Sequence, residues 1–166
     1  MKNKAFFLIL VLMAVPLLPV FADKYDSKSL GILQGDYNKK NGALDLKGLL
    51  ILPNNNYNYI KLVGVLKEWN YEDSSIPNCR HAFSDDMTML FDRNSDAHYA
   101  KIVMTGKICS NNWNDTWKSF RGNYIIIGGK TLGTDEISGQ GVITITMNTK
   151  SGETKGTING NIALYT

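Results

Sequence analysis

His81 and His98 are the only histidines in the chain, and Asp85, Asp86, Asp92 and Asp96 lie near them in sequence. A histidine that converges with a carboxylate can move protons or hold a metal. Convergence would need the fold to bring His81, expected in a loop, to His98, expected at a strand start. Otherwise both are surface histidines. No Ser or Cys stands in a nucleophile elbow, and HExxH is absent. Asp92-Arg-Asn-Ser-Asp96 has the alternating oxygens of a calcium loop. Ala97 and Val103, however, stand where that loop requires Gly and Glu, so the segment reads as a turn. We assign no catalytic residue and no metal site, and expect no cofactor.

The aromatic residues say more. Trp69, Trp113 and Trp117 fall at a strand end or in loops, with Tyr57, Tyr59 and Tyr71 close to Trp69. A rigid indole face offers much contact area to a sugar ring or an apolar ligand, although the same residues also serve as rim packing. Trp69, Trp113, Trp117, Tyr59 and Tyr71 are therefore the candidate binding rim. Asn54, Asn55, Asn56, Asn111, Asn112 and Asn114 border it; they could hydrogen-bond hydroxyls or simply form turns.

Cys79 and Cys109 are the only cysteines. Neither stands in a CxxC pair, so one structural disulfide is expected rather than a redox or metal pair. It would close a loop of roughly 30 residues and contribute about 3 kcal/mol in the chain-entropy model. That expectation fits the N-terminus. Lys2 and Lys4 precede an apolar run over residues 5–18, and Pro19-Val-Phe-Ala22 follows. This is the three-part pattern of a signal peptide over residues 1–22, with cleavage after Ala22. The run is short for an anchor helix and is broken by Pro16 and Pro19. No later run approaches spanning length, so no membrane span is expected in the mature chain. Without residues 1–22 the formal net charge falls from +3 to +1. No Lys/Arg cluster is visible along the rest, which gives no electrostatic case for nucleic acid.

Residues 23–166 suffice for one domain with its own core. Their elements read as short strands. Residues 30–37 and 43–52 flank the turn signal Asn41-Gly42. Residues 57–69 are apolar on both faces, which predicts a central strand whose second face is covered by the loop over 70–85. Residues 87–92 and 98–109 follow. Trp117-Lys-Ser-Phe-Arg-Gly-Asn-Tyr-Ile-Ile-Ile-Gly-Gly129 opens the last three strands. In the next, Ile143, Ile145 and Met147 alternate with Thr144, Thr146 and Asn148. The final run places Gly156 and Gly160 on the face of Ile158 and Ile162, where they would allow the sheet to curl. The pattern predicts an all-β, single antiparallel eight-stranded barrel in up-and-down order, with a β-sandwich as the alternative.

Phe120-Arg-Gly-Asn-Tyr-Ile-Ile-Ile-Gly-Gly129, Gly133 and Ile137-Ser-Gly-Gln-Gly-Val-Ile-Thr-Ile-Thr146 together resemble the back half of allene oxide cyclase-like and dirigent-like proteins. The resemblance covers about 30 residues and departs from the family pattern at Lys130-Thr-Leu132, where a Gly and an aromatic are common. It implies an eight-stranded barrel with a central apolar cavity. No catalytic residue is carried over.

Two functions follow as expectations. One is a secreted or periplasmic binding protein that holds a small apolar molecule, a glycan or a protein partner. The alternative is a cofactor-free isomerase or cyclase acting inside the barrel. An ionisable side chain on an inward strand position would separate them. Glu68 and Arg121 are the exceptions to an otherwise apolar inward set, and neither can be oriented from sequence. Edman or mass-spectrometric sequencing of the exported protein should read Asp23 first, whereas a retained Met1 would show residues 1–22 to be an anchor.

Overall fold

The structure, a computed structural model, describes residues 28–51, 57–72, 76–84, 86–91, 98–110, 116–130 and 137–164. These form nine strands and no helix: β1 (Lys28–Asn38), β2 (Ala43–Ile51), β3 (Tyr57–Glu72), β4 (Cys79–Ser84), β5 (Met87–Phe91), β6 (Tyr99–Cys109), β7 (Trp117–Lys130), β8 (Ile137–Asn148) and β9 (Glu153–Leu164). Every pairing is antiparallel, and β1–β9 together with β2–β3 close the sheet into a barrel.

Nine strands make eight staves. β5 pairs with the first half of β3 and of β6, while β4 pairs with their second halves. β4 and β5 are thus one stave interrupted between Ser84 and Met87. The ring order is the chain order, an up-and-down barrel. The expected loop over 70–85 is corrected here, because β3 runs on to Glu72 and β4 occupies residues 79–84. On the outer face of β3, Tyr59 and Trp69 are about half exposed.

Two tight turns share a rule. Asn38-Lys-Lys-Asn-Gly42 joins β1 to β2, and Asn148-Thr-Lys-Ser-Gly152 joins β8 to β9. In each, the leading Asn Oδ1 accepts a backbone N–H two residues on, and the closing Gly N–H donates to the Asn carbonyl at 2.8 Å. Gly42 (φ 74°) and Gly152 (φ 83°) take the left-handed conformation that side chains resist. The Tyr37 N–H donates to the Gly152 carbonyl and ties the two turns together. We call this the tight-turn end. The opposite, terminal end is where β1 begins and β9 finishes.

The interior is filled by side chains. Leu46, Leu62, Met89 and Ala100 are register partners across β2, β3, β5 and β6, and all are fully buried. Ile108, Phe120 and Ile145 form a second belt across β6, β7 and β8. Large residues face glycines: Leu33 opposes Gly48 and Gly156, and Tyr124 opposes Gly141. An eight-stranded barrel has just enough width for such alternation. The Tyr124 ring lies over the Gly141–Gly160 pair. A Cβ on Gly141 would come within 2.8 Å of the ring, and one on Gly160 within 2.6 Å of the hydroxyl.

Cys79 and Cys109 are directly opposed on β4 and β6 and form a disulfide. Such a bond suits an extracellular or periplasmic protein. No helix among the described residues is long and apolar enough to cross a membrane.

The Tyr124 hydroxyl is buried and makes no hydrogen bond. Burial pushes its pKa up to about 12, and the nearby Ser29 hydroxyl, which itself donates to the Gly160 carbonyl at 3.1 Å, offsets part of that rise. The unfolded chain releases this proton near pH 10 and the folded chain near pH 12, so the stability is complete below pH 10 and is lost between the two. We expect wild-type unfolding free energy to fall across that window by at most about 1.4 kcal/mol per pH unit from this group. Tyr124→Phe should flatten the fall without loss of stability at pH 7. Gly160→Ala should cost about 1–3 kcal/mol at any pH, as overpacking does. Urea titrations from pH 7 to 12 check all three.

Candidate functional site

The inward faces of β3, β4 and β7 become polar at the tight-turn end. Period two carries the buried set of β3 from Leu66 to Glu68, and that of β7 back from Phe120 to Lys118. The Lys118 ammonium donates to both oxygens of Glu68, at 3.2 and 3.4 Å. The Lys118 side chain is 9% exposed and that of Glu68 21%. Arg80 on β4 brings its guanidinium to 3.9 Å from the same carboxylate, and its register partner on β3 is Glu72. Burial first, and then the charge of Glu68, raise the pKa of Tyr37 on β1. Thr154 on β9 completes the layer, its hydroxyl donating to the Gly152 carbonyl at 2.9 Å.

Three charged side chains, Glu68, Arg80 and Lys118, therefore face inward, where an apolar inward set was expected. The other exception raised from sequence, Arg121, faces out and is exposed. Alternation back from Phe120 is the signal that reaches Lys118. Chemically the group is a plug. Both oxygens of Glu68 are tied to one cation, Lys118, which also lines the surface groove beside Trp117.

The expected rim disperses. Trp117 is about half exposed beside a surface groove of about 500 Å³, lined also by Pro77, Asn78, Ser110 and Thr146. Trp69 stands on the outer wall at the same end and meets Phe83 edge-on at 5.8 Å and His81 at 6.3 Å. Tyr59 lies farther along β3 toward the terminal end, in a cross-strand row with Leu49 and Ile32. Trp113, Asn54–Asn56, Asn111, Asn112, Asn114 and the Tyr71 side chain lie outside the described residues, as does the Asp92–Asp96 segment.

The two histidines do not converge. His81 is exposed on β4, a strand rather than the expected loop, near the tight-turn end. His98 precedes β6 at the terminal end, where its carbonyl accepts from the Phe91 N–H. Of the sequence-derived residues, the fold brings together Trp69 with His81, and Cys79 with Cys109.

No family model, no curated protein and no solved structure matches this chain.

The plug generates a prediction. Lys118→Met alone leaves the largely buried Glu68 carboxylate only the Arg80 guanidinium, 3.9 Å away, and should cost about 2–4 kcal/mol, below the full penalty because Glu68 also keeps some solvent. Lys118→Met with Glu68→Leu should recover most of that loss. Thermal melts of the two single variants and the double variant measure the coupling.

Proposed function

We propose that the protein is an exported carbohydrate-binding protein that engages its ligand on the outside of the barrel, with Trp69 as the platform. The observation carrying this reading is an indole about half exposed on the outer wall, braced edge-on by Phe83 at 5.8 Å. A ring fixed before binding loses little entropy when a sugar stacks on it. The filled interior argues in the same direction, since a ligand or substrate within the barrel would have to displace core side chains. Export is part of the proposal and draws on the N-terminal pattern, with Asp23 as the first mature residue, and on the disulfide.

A second reading rests on a different surface. Ile32, Leu49 and Tyr59 form a cross-strand row in which Ile32 is 60% exposed, and such a row suits a protein partner.

An immobilised glycan panel tests the first reading. The mature protein should bind a subset, and Trp69→Ala should weaken those interactions at least tenfold, about 1.4 kcal/mol. Ile32→Asp should leave them unchanged. Full retention of binding by Trp69→Ala would sink the platform.

A further inference from the structure

Trp117 opens the outward set of β7, three staves round the ring from Trp69. It is 47% exposed and stands beside the groove of about 500 Å³ where β6 ends and β7 begins. Alternation carries the outward set from Trp117 to Ser119, about 7 Å along the strand. Ser119 is the direct register partner of Thr146 on β8. Both line the groove, and neither hydroxyl is engaged in a hydrogen bond with a described residue. A ring resting on the indole would bring its substituents to this pair. The groove is also braced in advance. The Cys79–Cys109 disulfide joins β4 to β6 at its edge. The Ser110 N–H donates to the Asn78 carbonyl at 3.0 Å, and the Ser110 hydroxyl to the Trp117 carbonyl at 3.4 Å. The Thr116 carbonyl accepts from Thr149 twice, from its N–H at 2.7 Å and its hydroxyl at 3.1 Å. A site held in this way loses little entropy when a ligand enters.

The lining selects the chemistry of the ligand. Pro77 and Trp117 supply apolar area, and Asn78, Ser110, Ser119 and Thr146 supply neutral polar groups. Lys118 is the one charged residue of the described lining, and its ammonium is held by both oxygens of Glu68. An apolar platform flanked by uncharged hydroxyls matches a neutral sugar, which has a C–H face and a rim of hydroxyls. The volume falls in the range of small-molecule sites, about 300–1,000 Å³. We propose that this groove is a second glycan site, taking a neutral oligosaccharide with one ring on Trp117 and its hydroxyls on Ser119 and Thr146. The proposal rests on the carbohydrate reading above for the class of ligand, but not on Trp69. Three of eight staves separate the two indoles, so their positions face different directions and a short chain occupies one site at a time. An immobilised glycan can engage both, which makes its avidity sensitive to the loss of either. A proline-rich peptide fits less well, because its grooves are walled by aromatic rings and this one has a single indole.

The test is an NMR titration of the mature, disulfide-bonded, isotope-labelled protein with cellohexaose, mannohexaose and laminarihexaose. Single Trp→Phe variants assign the three indole N–H signals, so each signal reports its own site. The Trp117 signal should shift with at least one hexasaccharide, in wild type and in Trp69→Ala alike. Its Kd should stay within about twofold between about 50 and 500 mM salt, as an uncharged ligand requires. Ser119→Ala with Thr146→Val should weaken binding at Trp117 at least tenfold and leave the Trp69 titration unchanged. Melting temperatures confirm that each variant is folded, which these outward positions permit. A Trp117 signal unmoved by all three hexasaccharides overturns the proposal, as does a double variant with wild-type affinity. The Trp69 platform survives either result if its own signal moves. A fixed Trp69 signal beside a moving Trp117 signal removes the platform and leaves the groove. Tighter binding of hexagalacturonate than of the neutral sugars overturns the neutral ligand in favour of an acidic one. Tighter binding of decaproline overturns the sugar in favour of a peptide.

Discussion

The barrel depends on the fit between Tyr124 and the Gly141–Gly160 pair. A closed sheet of eight staves leaves a lumen about as wide as the side chains that line it. A large ring can enter that lumen only where the facing strands carry no Cβ, and β8 and β9 supply such a place. The same exchange recurs where Leu33 faces Gly48 and Gly156. Bulk on one stave is matched by its absence on the next, which lets the interior approach solid-like density. With the lumen spent on packing, the wall and the rims are the surfaces left for the recognition proposed above. The glycines that look in sequence like licence for curvature are also the space into which the core grows.

The two ends differ because the inward alternation runs out differently on each stave. Toward the terminal end it finishes on Ile60, Phe91, Ile137 and Ile162, all buried and apolar, and on Ser29, an uncharged hydroxyl that donates to the Gly160 carbonyl. Toward the tight-turn end it reaches Glu68, Arg80 and Lys118. Withdrawing these charges from water costs free energy that their mutual attraction only partly returns, so the plug adds little net stability. What it imposes is register. Lys118 meets both oxygens of Glu68 only if β3 and β7 are held at the observed heights on opposite sides of the lumen. An apolar layer would tolerate a slip of two residues, whereas the ion pair would not.

Most of the fold was legible because it is local. Alternation in 143–148 and 157–162, the Asn-led turns closed by Gly42 and Gly152, and the odd pair of cysteines each encode one element. The ring order then follows from short connections. The failure at 70–85 also has a local cause. The inward set of β4 is Arg80, Ala82 and Ser84, while Phe83 points out, so its pattern inverts the usual one. The platform was half legible: Trp69 stood out, but nothing in sequence placed Phe83 beneath it. The cross-strand row of His81, Lys107 and Arg121 was invisible, because its members lie 26 and 14 positions apart along the chain and only register makes them neighbours.

The interruption between Ser84 and Met87 decides which residues reach the outer wall. In β5 the odd-numbered Met87, Met89 and Phe91 face inward; in β4 the even-numbered Ala82 and Ser84 do. One inserted residue has reversed the parity, as a β-bulge does. The Ser84 hydroxyl helps to hold the break, accepting the Met104 N–H at 2.8 Å. Had the stave run on without it, the alternation of β5 would have turned His81 and Phe83 into the lumen, and Ala82 and Ser84 out. Phe83 would then compete with Phe120 and Met104 for space already filled. Trp69 would lose its brace, and Lys107 would face a small side chain instead of an imidazole. The same one-residue irregularity relieves the core and assembles the outer wall, so the packing of the barrel and the recognition surface proposed for it cannot be altered independently at this stave.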